Sequence, residues 1–145
     1  ASKKSGQSNW NNTQLNIPKP NPVSRDQWAS YGFDESTALT VTPSGNEGDS
    51  YDYFINVDNV HLLREQKFNS KVDPKVHFAR YQVLMTLIGM SCIKIVEDQE
   101  KAGKTPTRSV EEMVEETTRA TAAVILGVID PLAGLDASMV ASDDD

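Results

Sequence analysis

Apolar side chains recur at helical spacing over two long stretches in the second half of the chain. In residues 76–96 they return every three to four positions, which predicts a helix over about 74–102. A second series predicts a helix over about 110–130. Because only a short break separates these segments, we expect a long antiparallel helical hairpin.

Capping residues mark the ends of both predicted helices. Asp73–Pro74 is an N-cap followed by a proline at the first helical position, and Gly103 is typical of the residue just after a helix. Ser109–Glu112 has the spacing of a capping box. Asp130–Pro131 is predicted to end the second helix, because the residue before a proline is disfavoured in the α region.

The middle of the first predicted helix is apolar nearly all round. From Val83 to Ile93 few polar side chains interrupt it, as in a helix that is buried on several sides. Gly89 lies within this stretch and allows two interpretations. We favour the close approach of a packed neighbour; the alternative is a kink, since a glycine inside a helix costs ~1 kcal/mol relative to alanine.

The N-terminal half predicts a small sheet. Residues 37–42 have an alternating pattern and are rich in β-branched side chains, and residues 51–57 are rich in aromatic and β-branched side chains. A loop rich in turn-forming residues separates them, so we expect a β-hairpin.

Short helices are predicted on either side of this hairpin. Ser24–Gln27 fits a second capping box that begins a helix ending near Ser30, and Asp58 or Asn59 caps a helix that ends near Phe68. An aromatic cluster after the first short helix is expected to enter the core. Its members are Trp28, Tyr31 and Phe33.

Composition divides the chain into three parts. Residues 1–23 are rich in Ser, Asn and Pro and predict an extended N-terminal arm, whose removal we expect to leave the fold intact. Residues 24–140 predict one helix-dominated α+β domain, and residues 141–145 form an acidic tail. In the arm, Trp10, Leu15 and Ile17 are spaced as contacts for a groove, for example one on another subunit; simple disorder of the arm is the alternative.

The charge balance argues against nucleic acid and anionic membranes as main partners. The formal net charge is −7. Residues 1–33 carry a local charge of +3, so the remainder is strongly acidic. A basic arm is suited to dock on the acidic body of a neighbouring copy, although terminal charges also keep a segment solvated.

No segment has the ~20 apolar residues of a membrane span, and the first 30 residues lack a signal peptide. We therefore expect a cytoplasmic protein or part of an assembled particle.

The residues that usually perform chemistry form no recognisable motif. Cys92 is a lone cysteine on an apolar helix, and His61 and His77 lie on different predicted helices. Residues 102–105 resemble the end of a phosphate-binding loop, but Asp98 occupies the required glycine position and a helix precedes the loop. The loop at 46–52 offers at most a weak cation site. We predict no catalytic, cofactor-binding or metal-binding residues.

Asp143–Asp145 resembles, over a very short length, the acidic tails by which some single-strand DNA-binding proteins recruit partners. Such proteins also need a basic groove with stacking aromatic side chains, and this body is acidic. A nucleic-acid-associated role is therefore the weaker alternative.

Two classes of function fit the sequence better. The first is a non-enzymatic structural or assembly protein, such as a virion component, that forms a homo-oligomer or larger assembly and exchanges its N-terminal arm. The second is an accessory or regulatory module that binds a larger enzyme complex, such as an ATP-driven one. An enzyme of unusual chemistry is a third option, and we predict no cofactor and no small-molecule substrate. The predicted interface residues are Trp10, Leu15, Ile17, Leu84, Leu87, Ile88, Val124, Ile125 and Val128.

Overall fold

A small sheet covered by long helices forms the framework of the protein. The computed structural model describes residues 16–45 and 50–133, and it confirms a helix-dominated α+β fold. A 3₁₀ turn (Arg25–Gln27) leads into the first α-helix. The regular elements are β1 (Asn21–Val23), α1 (Trp28–Tyr31), β2 (Leu39–Pro43), β3 (Tyr51–Asn56), α2 (Val60–Phe68), α3 (Pro74–Lys101), α4 (Val110–Ile125) and α5 (Ile129–Ala133).

The sheet has three strands in the order β1-β3-β2. The predicted antiparallel pairing is confirmed, with Leu39 opposite Ile55. β1 was not predicted; it pairs with β3 in parallel, with Asn21 opposite Phe54. Its three residues are too few to show a period, and its proline is tolerated because β1 lies at the edge of the sheet.

The end of the predicted arm therefore belongs to the folded domain. Val23 is buried, and its carbonyl accepts a hydrogen bond from the Val57 amide at 3.0 Å. The Asn21 side chain donates to the Tyr53 carbonyl at 3.0 Å. The sheet thus begins before residue 24, within the segment predicted to be an extended arm, so we now expect the loss of residues 21–23 to affect folding. Trp10 and Leu15 lie outside the described residues.

The long helix α3 begins and ends where its capping residues predict. The Asp73 carboxylate accepts a hydrogen bond from the Lys75 amide at 2.8 Å. At the other end, the Lys104 amide donates to the Gln99 carbonyl at 2.9 Å, and Gly103 has φ 79°. This is the Schellman arrangement, in which a glycine accepts the left-handed conformation after the last turn.

Gly89 is a point of close approach between α3 and the sheet. The helix runs without interruption through this position. A Cβ atom here would lie 2.7 Å from Cδ2 of Leu39 on β2, which is closer than real Cβ atoms come to a neighbour. The favoured interpretation of this glycine is supported, because a larger side chain would push the helix away from the strand.

The second long helix, α4, begins at the predicted capping box, where the Glu112 amide donates to Ser109 Oγ at 3.1 Å. The prediction that it extends to residue 130 is wrong, because it ends at Ile125. A turn containing Gly127 follows, and Pro131 lies in the first turn of α5. Proline is tolerated there because the first amides of a helix have no intrahelical partner.

Contacts between α3 and α4 run in opposite chain order. Cys92 Sγ lies 3.9 Å from the Met113 carbonyl, while Val96 and Glu100 line a cavity with residues 106–111. Thr118 joins α4 to the sheet, because the Leu39 amide donates to its hydroxyl at 3.3 Å. Both helices therefore cover the same side of β2 and β3.

A buried polar network holds the loop before β2 in place. Asn56, which is fully buried, donates to the Thr37 carbonyl at 2.8 Å and accepts from Trp28 Nε1 at 3.0 Å. The Tyr81 hydroxyl donates to the Asn56 carbonyl at 2.6 Å. Asn59 caps α2 as predicted by accepting from the amides of its first turn. Since the polar atoms of these side chains are paired with one another and with the backbone, the network is structural.

The predicted aromatic cluster enters the core only in part. Phe33 is buried, Trp28 is half-buried and Tyr31 is exposed.

Candidate interaction surface

One side of α3 faces away from the sheet and carries several exposed apolar side chains. The opposite side is buried against the sheet and the neighbouring helices by Tyr81, Met85 and Val96, among others. On the outer side, Val76, Val83 and Ile95 are 40%, 42% and 48% exposed. Single exposed apolar residues are common on soluble proteins, but a series of them along one helix marks a contact surface.

Two apolar cavities lie along this outer side. One, of about 400 Å³, lies between α3 and α5. It is lined by Ala79, Arg80, Val83, Leu84 and Ile129. The other, of about 590 Å³, lies further along α3. It is lined by Leu87, Met90, Ser91, Lys94 and Ile95. Shallow apolar depressions of this kind accept side chains from a partner.

The outward residues follow a heptad spacing, with intervals that alternate between four and three residues. Such spacing is the pattern by which one helix packs along another. Eight residues make up what we call the heptad face: Val76, Arg80, Val83, Leu87, Met90, Lys94, Glu97 and Lys101. Its centre, Val83 to Met90, is apolar, and its charged residues lie towards the ends.

The residues predicted from the sequence as interface occupy different environments. Leu87 lies on the heptad face, while Leu84, Ile88 and Ile125 are partly buried against the core. Val124 is 72% exposed on α4, and Val128 is exposed in the turn after it. Ile17 is half-buried. The structure thus places Leu87 on the outer side of α3 and Val124 and Val128 beyond it, rather than joining all of these residues in one patch.

Sequence reasoning did not single out Val76, Val83 and Met90 on the outer side of α3. The heptad spacing of these three residues is visible in the sequence. This heptad spacing was hard to recognise because the inner side of the same helix is also apolar. The apolar residues of the two sides therefore overlap along the sequence. The exposed positions become distinct only when the buried side is known.

The ion pairs of the described residues lie on the surface and leave the apolar centre uncharged. Lys94 pairs with Asp98 at 2.8 Å, and this hydrogen bond raises the pKa of Lys94. Arg119 joins Asp34 at 3.0 Å, and its guanidinium lowers the pKa of that carboxyl. The second of these pairs attaches α4 to the loop before β2.

Cys92 is buried, and burial raises the pKa of its thiol, which makes it a packing residue. Within residues 16–45 and 50–133, no three or more His, Cys, Asp or Glu side chains come together as metal ligands would. Most of the loop in which we considered a weak cation site, and the acidic tail, lie outside the described residues.

By length and composition α3 could cross a membrane, alone among the helices of the described part. A core helix of a small domain has the same length and composition. Here, eight residues of α3 are buried within the domain itself.

Comparison with known proteins identifies no relative. No protein-family model matches the chain, and neither a curated protein nor a solved structure shows significant similarity to it.

Proposed function

We propose that this protein is a non-enzymatic assembly component that associates with further copies of itself through the outer side of α3. The observation that carries the proposal is the heptad face, on which Val83 is exposed and the half-buried Leu87 and Met90 line an apolar cavity. When a second surface removes exposed apolar area from water, the contact is stabilised by about 25 cal/mol per Å² of that area.

A second contact is proposed for residues 1–15. Asn16 and Pro18 line a cavity with Tyr53 and Ile93, so the chain enters the described part beside α3. The segment that precedes Asn16 carries Lys3, Lys4 and Trp10, whereas the rest of the molecule is acidic. Charge complementarity therefore favours docking of this segment on a neighbouring copy.

Charge placed on the heptad face tests the proposal. We expect the wild type to have a mass above that of a monomer in sedimentation velocity at micromolar concentration. Leu87→Asp should shift it to a monomer that still unfolds cooperatively, because the new carboxylate is solvated in the monomer and desolvated in the contact.

Leu63→Asp is the matched control, since Leu63 is an exposed leucine on α2 away from the heptad face. This variant should associate as the wild type does. A wild type that remains monomeric at high micromolar concentration would overturn the proposal. So would a Leu87→Asp variant that is folded and keeps the wild-type mass.

A further inference from the structure

The cavity between α3 and α5 is apolar and lies close to the point where the described chain ends. It has a volume of about 400 Å³. An apolar cavity of about 150 Å³ is enough to hold a benzene molecule, so this one has room for more than one apolar side chain. Its wall includes Val83, which is 42% exposed, and Ile129, which lies just before the last described residue, Ala133.

Apolar side chains next to Ile129 in the sequence are exposed as well. Val128 and Leu132 are 42% and 55% exposed. The Leu132 amide donates to the Val128 carbonyl at 3.0 Å, so these two side chains follow one another by one helical turn. The end of the described chain therefore presents apolar surface to water, and a segment that covered this surface would be stabilised.

The segment that continues from Ala133 has the composition and the length to supply this cover. Residues 134–145 lie outside the described residues. An extended chain spans at most about 3.6 Å per residue, so the stretch from Ala133 to Asp143 can reach roughly 30 Å. Along α3, the distance from Val83 back to Pro74 is only about 14 Å at 1.5 Å per residue. The apolar residues of the segment are Leu135, Met139 and Val140.

Charge gives a second reason to place this segment at the beginning of α3. Residues 134–145 contain four aspartates and no lysine or arginine. Residues 66–80 contain four lysine or arginine residues, and Asp73 is the one acidic residue among them. Asp73 caps the helix, and the lysines on either side of it, Lys71 and Lys75, are exposed. The opposite end of the helical hairpin repels such a segment, since residues 97–116 contain seven acidic and three basic residues.

We infer that residues 134–145 of the same chain close over the cavity between α3 and α5. Their apolar side chains fill the cavity, and their aspartates lie beside Lys71 and Lys75. The same chain supplies this cover because a segment tethered at Ala133 has a millimolar effective concentration at the cavity. The inference does not rest on the proposed self-association, and it leaves the cavity around Leu87 and Met90 to a second copy.

Thiol labelling at residue 79 tests this closure in the full chain. Ala79 lines the cavity and is exposed in the described part, so a cysteine there should react slowly only if residues 134–145 cover it. Adding Leu135→Asp and Met139→Asp should raise the labelling rate of Ala79→Cys about fivefold or more, because the segment then no longer protects the site. Peptide mass spectrometry distinguishes this thiol from the buried Cys92. Ser91→Cys, at the other cavity, is the matched control and should react equally fast in both backgrounds.

Charge reversal tests the contact with the aspartates. Lys71→Glu and Lys75→Glu should each raise the labelling rate of Ala79→Cys, because they replace an attraction by a repulsion. Lys104→Glu, which changes an exposed lysine beyond the opposite end of α3, should leave the rate unchanged. If all three variants react at the same rate as Ala79→Cys alone, the contact between the aspartates and these lysines is overturned.

Protein concentration distinguishes the possible occupants of the cavity. Slow labelling of Ala79→Cys that does not depend on protein concentration is the result expected for a segment of the same chain. Protection that appears only as the concentration rises would assign the cavity to a second copy and overturn the inference, while supporting self-association. Fast labelling that Leu135→Asp and Met139→Asp do not change would show an uncovered cavity and would also overturn it. Neither result is decided by the sedimentation of Leu87→Asp, so the two proposals can fail separately.

Discussion

Gly89 sets the distance between α3 and the sheet, and replacing it is the sharpest test of packing at a single residue. Alanine would favour the helix by ~1 kcal/mol, but its Cβ would lie 2.7 Å from the Leu39 side chain, which is fully buried. Overpacking of a core costs ~1–3 kcal/mol. We therefore expect Gly89→Ala to lower the thermal unfolding midpoint.

Gly127→Ala provides the control for Gly89→Ala. A Cβ atom at Gly127 meets no other atom within 4 Å, and the φ angle of Gly127 is not positive. This substitution should leave stability unchanged or raise it by up to ~1 kcal/mol. Equal stability of Gly89→Ala and the wild type would show that Leu39 moves aside, and that the contact does not set the spacing.

Asp34 should make part of the stability depend on acid pH. Its hydrogen bond to Arg119 lowers the pKa of the carboxyl, so the contribution is present above the ordinary pKa of Asp and is lost as the pH falls through the lowered value. The Asp34 side chain is 61% exposed, which limits the effect to less than about 1 kcal/mol. The thermal unfolding midpoint of the wild type should therefore be higher than that of Asp34→Asn at neutral pH. The difference between the two midpoints should shrink in acid.

Asn at position 34 keeps an oxygen that can accept from the Ser36 and Thr37 amides, so this substitution removes mainly the charge. In an Arg119→Gln background, the pH-dependent effect of Asp34→Asn should shrink, because the largest cause of the lowered pKa is gone while the hydrogen bonds from Ser36 and Thr37 remain. A difference between wild type and Asp34→Asn that stays constant from neutral pH to acid would contradict the role of the ion pair.

Among the helices and strands, the sequence predicted the features that depend on residues close together in the chain. The beginnings of α2, α3 and α4 are set by the caps Asn59, Asp73 and Ser109, each of which accepts a hydrogen bond from an amide of the first turn of its helix. The antiparallel strands followed from their alternating and β-branched residues. These features depend on neighbours in sequence, so one sequence is sufficient to find them.

Elements that depend on distant partners were missed or misplaced. β1 exists because the central strand β3 offers it a free edge, which no pattern within Asn21–Val23 reveals. Asn56 lies in a strand segment identified by its aromatic and β-branched residues, yet it is buried and joins Trp28, Thr37 and Tyr81, which are distant in sequence. Asp130–Pro131 was predicted to end α4, but Pro131 lies in the first turn of α5, where a proline is tolerated.

The same distinction applies to the candidate interface. Apolar spacing along α3 predicted a wide apolar surface, but it did not separate the part that the sheet covers from the part that stays exposed. Leu84 and Ile88 pack partly against the core, whereas Val83 and Leu87 lie on the heptad face. Only the tertiary structure assigns each residue to its side.

For the whole molecule, the arm connects folding with assembly, and two truncations separate these roles. Removing residues 1–15 leaves β1 intact, so we expect cooperative thermal unfolding to persist while self-association weakens. Removing residues 1–23 also deletes Val23, which is buried, and the hydrogen bonds that join β1 to β3. Loss of a buried valine costs on the order of 2 kcal/mol, so this variant should unfold at a clearly lower temperature.

Comparing the two truncations by sedimentation and calorimetry then assigns each part of the arm. If removal of residues 1–15 abolishes the cooperative transition, the segment belongs to the core of its own copy. If that variant is stable and assembles as tightly as the wild type, the segment has no part in assembly and the heptad face of α3 is sufficient. A stable variant with weaker assembly is the result expected when the basic segment docks on the acidic surface of a neighbouring copy. Raising the salt concentration should then bring the assembly of the wild type closer to that of the truncated variant, because exposed charges are screened within about 10 Å at 0.1 M salt.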